Sequence, residues 1–220
     1  MKKEKVEYNF YTKGEEIANS VTHGVGAILS IIGSIFLILK SLKTSNNYAI
    51  TGVWVYSIAL IILYLGSTLY HSIPGKLVKR ILRILDHSSI YLLIAGTYTP
   101  IILIFLSNDK KSMYLLVFLW VIALLGILFK AFWIDKFGLL STILYILMGW
   151  TIILNIKTVL LLIPFNILMF IVSGGIAYTV GCIFFAVDKM PYNHFIWHLF
   201  VMMGSALHYV AIFLGILYIS

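Results

Sequence analysis

Charge is scarce in this chain: only 11% of its 220 residues are Asp, Glu, Lys or Arg, whereas 61% are hydrophobic. A soluble domain of this length needs far more charge on its surface, so the composition excludes one and points to an integral membrane protein. Cysteine is nearly missing as well. Cys182 stands alone inside an apolar segment, which rules out an internal disulfide and leaves the compartment unread. Its expected role is that of a small residue within a helix bundle. The opening stretch MKKEKVEYNFYTKGEE lacks the apolar centre and small-residue cleavage site of a secretory signal, and is expected to be retained as a cytoplasmic tail. No segment repeats another recognisably, so an inverted-repeat transporter has no positive support. The net charge of +8 is spread over short loops instead of being gathered on one face, which argues against nucleic acid as a partner.

What the chain has in abundance is apolar runs of roughly 18 to 25 residues, each long enough to cross a hydrocarbon layer of about 30 Å. They place seven spans at 19–39, 48–71, 84–106, 112–129, 137–156, 164–187 and 194–219, and leave no room for a separate soluble domain. The expected fold is an all-α membrane protein: a tail over residues 1–18, then a single seven-transmembrane helix bundle over residues 19–220. With seven crossings the termini lie on opposite sides. Of the 16 Lys and Arg, all but Lys40, Lys43, Lys110, Lys111 and Lys157 fall on the side of the N-terminus, which predicts N-terminus cytoplasmic, C-terminus outside, in the plasma membrane. Pro100, after Gly96-Thr97-Tyr98-Thr99, predicts a kink or an unwound turn in the third span. Gly24, Gly26, Gly174, Gly175 and Gly181 read as close helix contacts.

Orientation converts positions into a constellation. His71 closes the second span, Asp86 opens the third and His194 opens the seventh, so with His198 all four are expected at helix ends near the cytoplasmic face. Ser67 and His71 are four residues apart, as are His194 and His198, so each pair shares one helix face with about 5–6 Å between Cβ atoms. Ionisable residues are costly in a membrane and mark function. Three neutral histidines leave a fourth tetrahedral position open, the pattern of catalytic zinc, which would lower the pKa of a water there towards about 7. Asp86 is then placed to accept the water's proton and pass it to a leaving group, and Ser67 to donate a hydrogen bond to the bound oxygen or a substrate carbonyl. Too few oxygen ligands are present for magnesium or calcium. Zinc is the first choice, with iron and manganese as alternatives.

The remaining polar residues read differently. His87 points about 100° away from Asp86 and suits an outer contact, not ligation. His208, about 15 Å deeper than His198 and on another face, suits an interhelical hydrogen bond. Glu16, Asn19 and His23 open the first span, where Glu16 and Asn19 are expected to cap the helix while one of them approaches the metal pocket. Trp54, Trp120, Trp133, Trp150 and Trp197 fall where interfacial belts or bundle packing would put them.

Taken together, Glu16-x-x-Asn19 with Thr22-His23-Gly24, Ser67-x-x-x-His71, Asp86-His87 followed by Ala95-Gly96-Thr97-Tyr98-Thr99-Pro100, and His194-x-x-x-His198 closely resemble the hemolysin III family. That bacterial group belongs with the progestin and adipoQ receptors and, more distantly, the alkaline ceramidases. The resemblance covers nearly the whole chain. It implies seven helices with the N-terminus inside, a zinc ion on His71, His194 and His198, Ser67 and Asp86 beside a bound water, and hydrolysis of lipid amides such as ceramide. A hormone receptor is not expected, because the tail is short. The leading expectation is a zinc-dependent membrane hydrolase acting on a lipid amide or ester, with membrane lipid as substrate or ligand. A membrane homeostasis or sensor protein with structural zinc is the alternative, and a channel-forming cytolysin is a third. The last would need a polar track across the bilayer, whereas the polar residues gather at one face.

Overall fold

The structure, a computed structural model, describes residues 11–187 and 189–220. Among the described residues it is entirely helical: α1 (Lys13–Ser41), α2 (Asn47–Ser72), α3 (Lys76–Phe105), α4 (Lys110–Trp133), α5 (Gly138–Gly149), α6 (Ile156–Leu162), α7 (Phe165–Phe185) and α8 (Asn193–Tyr218). A 3₁₀ turn, Thr151–Asn155, joins α5 to α6, and together they make one crossing. Seven helices are therefore long and apolar enough to span a membrane, as the apolar runs predict. Of the expected tail, residues 1–10 lie outside the described residues, among them three of the bases counted for orientation, Lys2, Lys3 and Lys5.

Local sequence sets the helix starts. Thr12 and Glu15 form a reciprocal capping box at the head of α1, so Glu16 and Asn19 are not caps but lie inside the helix. Asn46 caps α2 through the amides of Tyr48 and Ala49, and Asp109 caps α4 through Ser112. Asp109 accepts from the Ser112 hydroxyl at 2.8 Å and its amide at 2.9 Å, which holds its carboxyl below the usual range. Helix α3 starts at Lys76, well before the expected 84, because Gly75 at φ +112° makes the turn that a side chain would resist. Asp86 consequently lies inside a helix and not at its end. Helix α4 likewise runs past 129, which brings Lys130 out of the expected loop and into the helix.

In lipid the usual sidedness reverses, and small or polar residues face inward. Helix α1 shows this plainly: Asn19, Thr22, His23, Ser30 and Ser34 are buried while Ile28, Leu29, Ile32 and Phe36 face outward. Close approach follows where glycine meets a ring. A Cβ on Gly26 would lie 2.5 Å from Tyr64, one on Gly174 2.6 Å from His208, and one on Gly181 2.7 Å from Trp197. Gly24 and Gly175 are in ordinary contact only, nearest neighbours at 3.7 and 3.5 Å. Helix α3 is the most buried crossing and lies at the centre of the bundle.

The unwound turn expected at Pro100 is absent, and α3 runs helical through it. A Cβ on Gly52 would come within 2.6 Å of the Pro100 Cα, so α2 packs against the proline at backbone distance. The break falls instead in the fifth crossing, at Thr151–Asn155. There the Tyr98 hydroxyl donates to Gly149 O at 2.7 Å and accepts from Ile152 N at 3.0 Å, so one side chain of α3 satisfies two backbone groups freed by the break. Tyr98→Phe should cost about 1–3 kcal/mol. The checks are a lower melting temperature in detergent and faster amide exchange confined to residues 149–155; unchanged exchange there would refute this role.

Candidate metal centre

The end of the bundle at which α1, α3, α5 and α8 begin gathers the polar side chains. His71 comes from the last turn of α2, and His194 and His198 from the first turns of α8. Tyr192, in the left-handed region at φ 58°, turns the chain into α8, and its amide donates to Glu15 Oε1 at 3.0 Å, so the α1 cap also holds the entry to the histidine pair.

The three Nε2 atoms converge. His71 Nε2 is 3.2 Å and His198 Nε2 3.0 Å from His194 Nε2, and one ligand atom from each residue lies within 4.8 Å of the others. A tetrahedral ion with bonds of about 2.0–2.1 Å needs edges of about 3.3–3.4 Å, close to this spacing. The tautomers agree. Glu16 Oε2 accepts from His71 Nδ1 at 2.6 Å, and Asn19 O accepts from His198 Nδ1 at 3.3 Å, so in their neutral forms both rings turn a lone pair to the centre. A single proton on His194 Nε2 cannot serve both neighbours at good geometry, whereas one cation serves all three. The donor set therefore fits a metal ion.

Around the histidines stand groups whose importance the sequence understated. Glu16 bridges His71 and the buried Lys79, whose ammonium also lies 5.1 Å from the Tyr70 ring centroid. His23 stacks on His198 with centroids 3.5 Å apart, and both its nitrogens lack a partner among the described residues. The same holds for both side-chain polar atoms of Asn19 and for Ser67 Oγ. Tyr11 stacks on His194 at 4.9 Å and closes the site from the side of the N-terminus; burial raises the pKa of its phenol far above the ordinary value, so it stays neutral. The spacing Glu16-x-x-Asn19-x-x-x-His23, one helix face, was the available signal for these residues.

On the other side the histidines open into a cavity of about 240 Å³. Asp86, His23, His87, His194 and His198 line its head, and Ile90, Ile94, Ile146, Trp197 and Val201 its walls. It reaches Trp150 and His208, about 15 Å along α8 from His198. Asp86 Oδ2 lies 3.4 Å from His87 Nδ1, which places His87 as an outer partner. His208 Nε2 is 3.0 Å from Ile171 O, the expected interhelical bond, and Cys182 is buried against the cavity. His71 and Ser67 stand behind the lining.

Fold and site together define a multi-pass membrane protein with a buried three-histidine group able to hold a metal ion. The family model described as "Haemolysin-III related" matches residues 11–209, and the chain belongs to this family. It is 46% identical over 203 residues to "Hemolysin-3" of Bacillus cereus, covering 92% of each chain. It is 44% identical over 196 residues to "Hemolysin-3 homolog" of Bacillus subtilis, covering 89% of this chain and 92% of the relative. A more distant relative of the progestin and adipoQ receptor type, the human "Monocyte to macrophage differentiation factor", is 29% identical over 204 residues, 90% of this chain and 83% of its own. No solved structure matches significantly.

Because an outer-shell carboxylate orients a ligand ring and raises its basicity, Glu16→Gln should weaken metal binding about 10–100-fold. Competition with a calibrated chelator measures this; unchanged affinity would show that the Glu16 contact does not tune the site.

Proposed function

We propose that this chain is a zinc-dependent hydrolase of a lipid amide or ester, of the ceramidase type, resident in the plasma membrane with its N-terminus in the cytoplasm. The reading rests on one observation above others: His194, His198 and Asp86 stand at one end of a cavity whose walls include Ile90, Ile94, Ile146 and Val201. An acyl chain suits the walls, and its carbonyl then reaches the histidine end. Zinc held by His71, His194 and His198 would supply a Lewis acid that activates water at neutral pH.

This chain's own residues do the rest. Asp86 accepts at its carboxylate the proton that water loses as its oxygen adds to the carbonyl carbon, and returns it to the leaving nitrogen or oxygen as the C–N or C–O bond breaks. A fatty carboxylate and a free amine or alcohol result. His87 Nδ1, 3.0 Å from Arg83 O, lies 3.4 Å from Asp86 Oδ2 and stands beside that carboxylate. Ser67 Oγ, buried and unpartnered among the described residues, is the candidate hydrogen-bond donor at the reacting oxygen. Tyr11 on one side and the bundle on the other exclude bulk water.

A second reading has its own support. His71 belongs to α2 and the other two ligands to α8, so an ion there would fasten two helices together, as a homeostasis or sensor protein with structural zinc requires. Asp86→Asn separates the two. The hydrolase predicts metal content near wild type with fatty-acid release lowered at least about 100-fold across lipid amides and esters. His194→Ala should lose both metal and release. Stoichiometric zinc in the wild type with no release from any such lipid would overturn the enzyme.

A further inference from the structure

Lysines at the ends of membrane helices ordinarily reach out to the headgroups. Lys130, in the last turn of α4, does the opposite: it is 1% exposed and lines the cavity. It makes no hydrogen bond or ion pair with any described residue. Burying an uncompensated ammonium is costly, and such a group in a membrane bundle calls for an anion. Arg83 of α3 lines the same cavity, and its Nη1 donates to Asp135 Oδ1 at 2.6 Å. Arg83 is thus ion-paired with Asp135, whereas Lys130 has no ion-pair partner among the described residues. Asp86, the acidic side chain of the lining, has His87 beside it, and no ion pair joins it to Lys130.

We propose that Lys130 is the headgroup site of the cavity and selects an amphiphile with a single negative charge, a carboxylate or a phosphodiester, over a neutral one. The apolar walls hold the chain, and the ammonium contacts the anionic head. This deepens the proposed function by naming the substrate class, and it rests on that reading only in placing a lipid chain in the cavity. Hydrolysis is not required for it.

Equilibrium displacement of a fluorescent acyl probe from the purified full-length protein in neutral detergent tests the site. The competitors are a long-chain fatty acid, an ether-linked lysophosphatidylglycerol and the matching ether-linked monoalkylglycerol, none of which hydrolysis consumes. The wild type should be displaced by at least one anionic competitor at a concentration about tenfold below that of the neutral one, as a charged contact implies. The arm that shows the advantage identifies the head as carboxylate or phosphate. Lys130→Gln should erase the advantage and Lys130→Arg retain it, with metal content unchanged in both. Equal displacement by anionic and neutral competitors, or an advantage that survives in folded Lys130→Gln, would overturn the site. Failure of every competitor, the neutral one included, would overturn the lipid cavity with it, whereas absent hydrolysis would leave the result standing.

Discussion

Three imidazole nitrogens meet inside an apolar bundle, those of His71 and His198 each within hydrogen-bond distance of His194, and that crowding governs the arrangement around it. Lone pairs pointed at one spot repel unless positive charge sits among them. Holding the rings there takes external help: a carboxylate on His71, a backbone carbonyl on His198 and a stacked phenol on His194. All three come from α1 or the residue before its cap. The first helix is thus a clamp on the site more than a membrane anchor, which explains why its inward face carries Glu16, Asn19 and His23.

The same clamp gives the site a direction. Tyr11 and the α1 face close it towards the chain's N-terminal side, while the cavity leads from the histidines into the bundle. The fifth crossing contributes the cavity-facing side of α5, from Gly138 to Gly149, and its helix is interrupted beyond the cavity lining at Thr151–Asn155. Tyr98 makes that interruption tolerable by serving both an orphaned carbonyl and an orphaned amide. Tyr98 also lines the cavity, so one side chain of α3 touches both the break and the space below it.

Much of this was legible in the chain. The long apolar runs specify the crossings, because the length needed to span hydrocarbon leaves few ways to place them. The i, i+4 pairs Ser67/His71 and His194/His198 specify shared faces by helix geometry alone, and the three histidines do come together. Other features were misread for definite reasons. Glu16 and Asn19 look like caps from position, but Thr12 with Glu15 outcompetes them, and Glu16 finds partners in α2 and α3. Of the kink or unwound turn expected at Pro100, the unwound turn is absent, for α2 packs against the proline through Gly52 and the helix continues. Lys130 looks like a loop base and is a buried one.

Sequence alone determined what must be hidden from lipid and what must face it: crossing number, inward faces and the residue types able to bind metal. These follow from hydrophobic run length and helical period, which are local. The tertiary structure decided which ring meets which, where the missing helical turn falls, and which side of the site is open. Those depend on contacts between helices far apart in sequence, where a capping box, a glycine or one tyrosine hydroxyl shifts the balance between competing partners, and no local pattern carries that information.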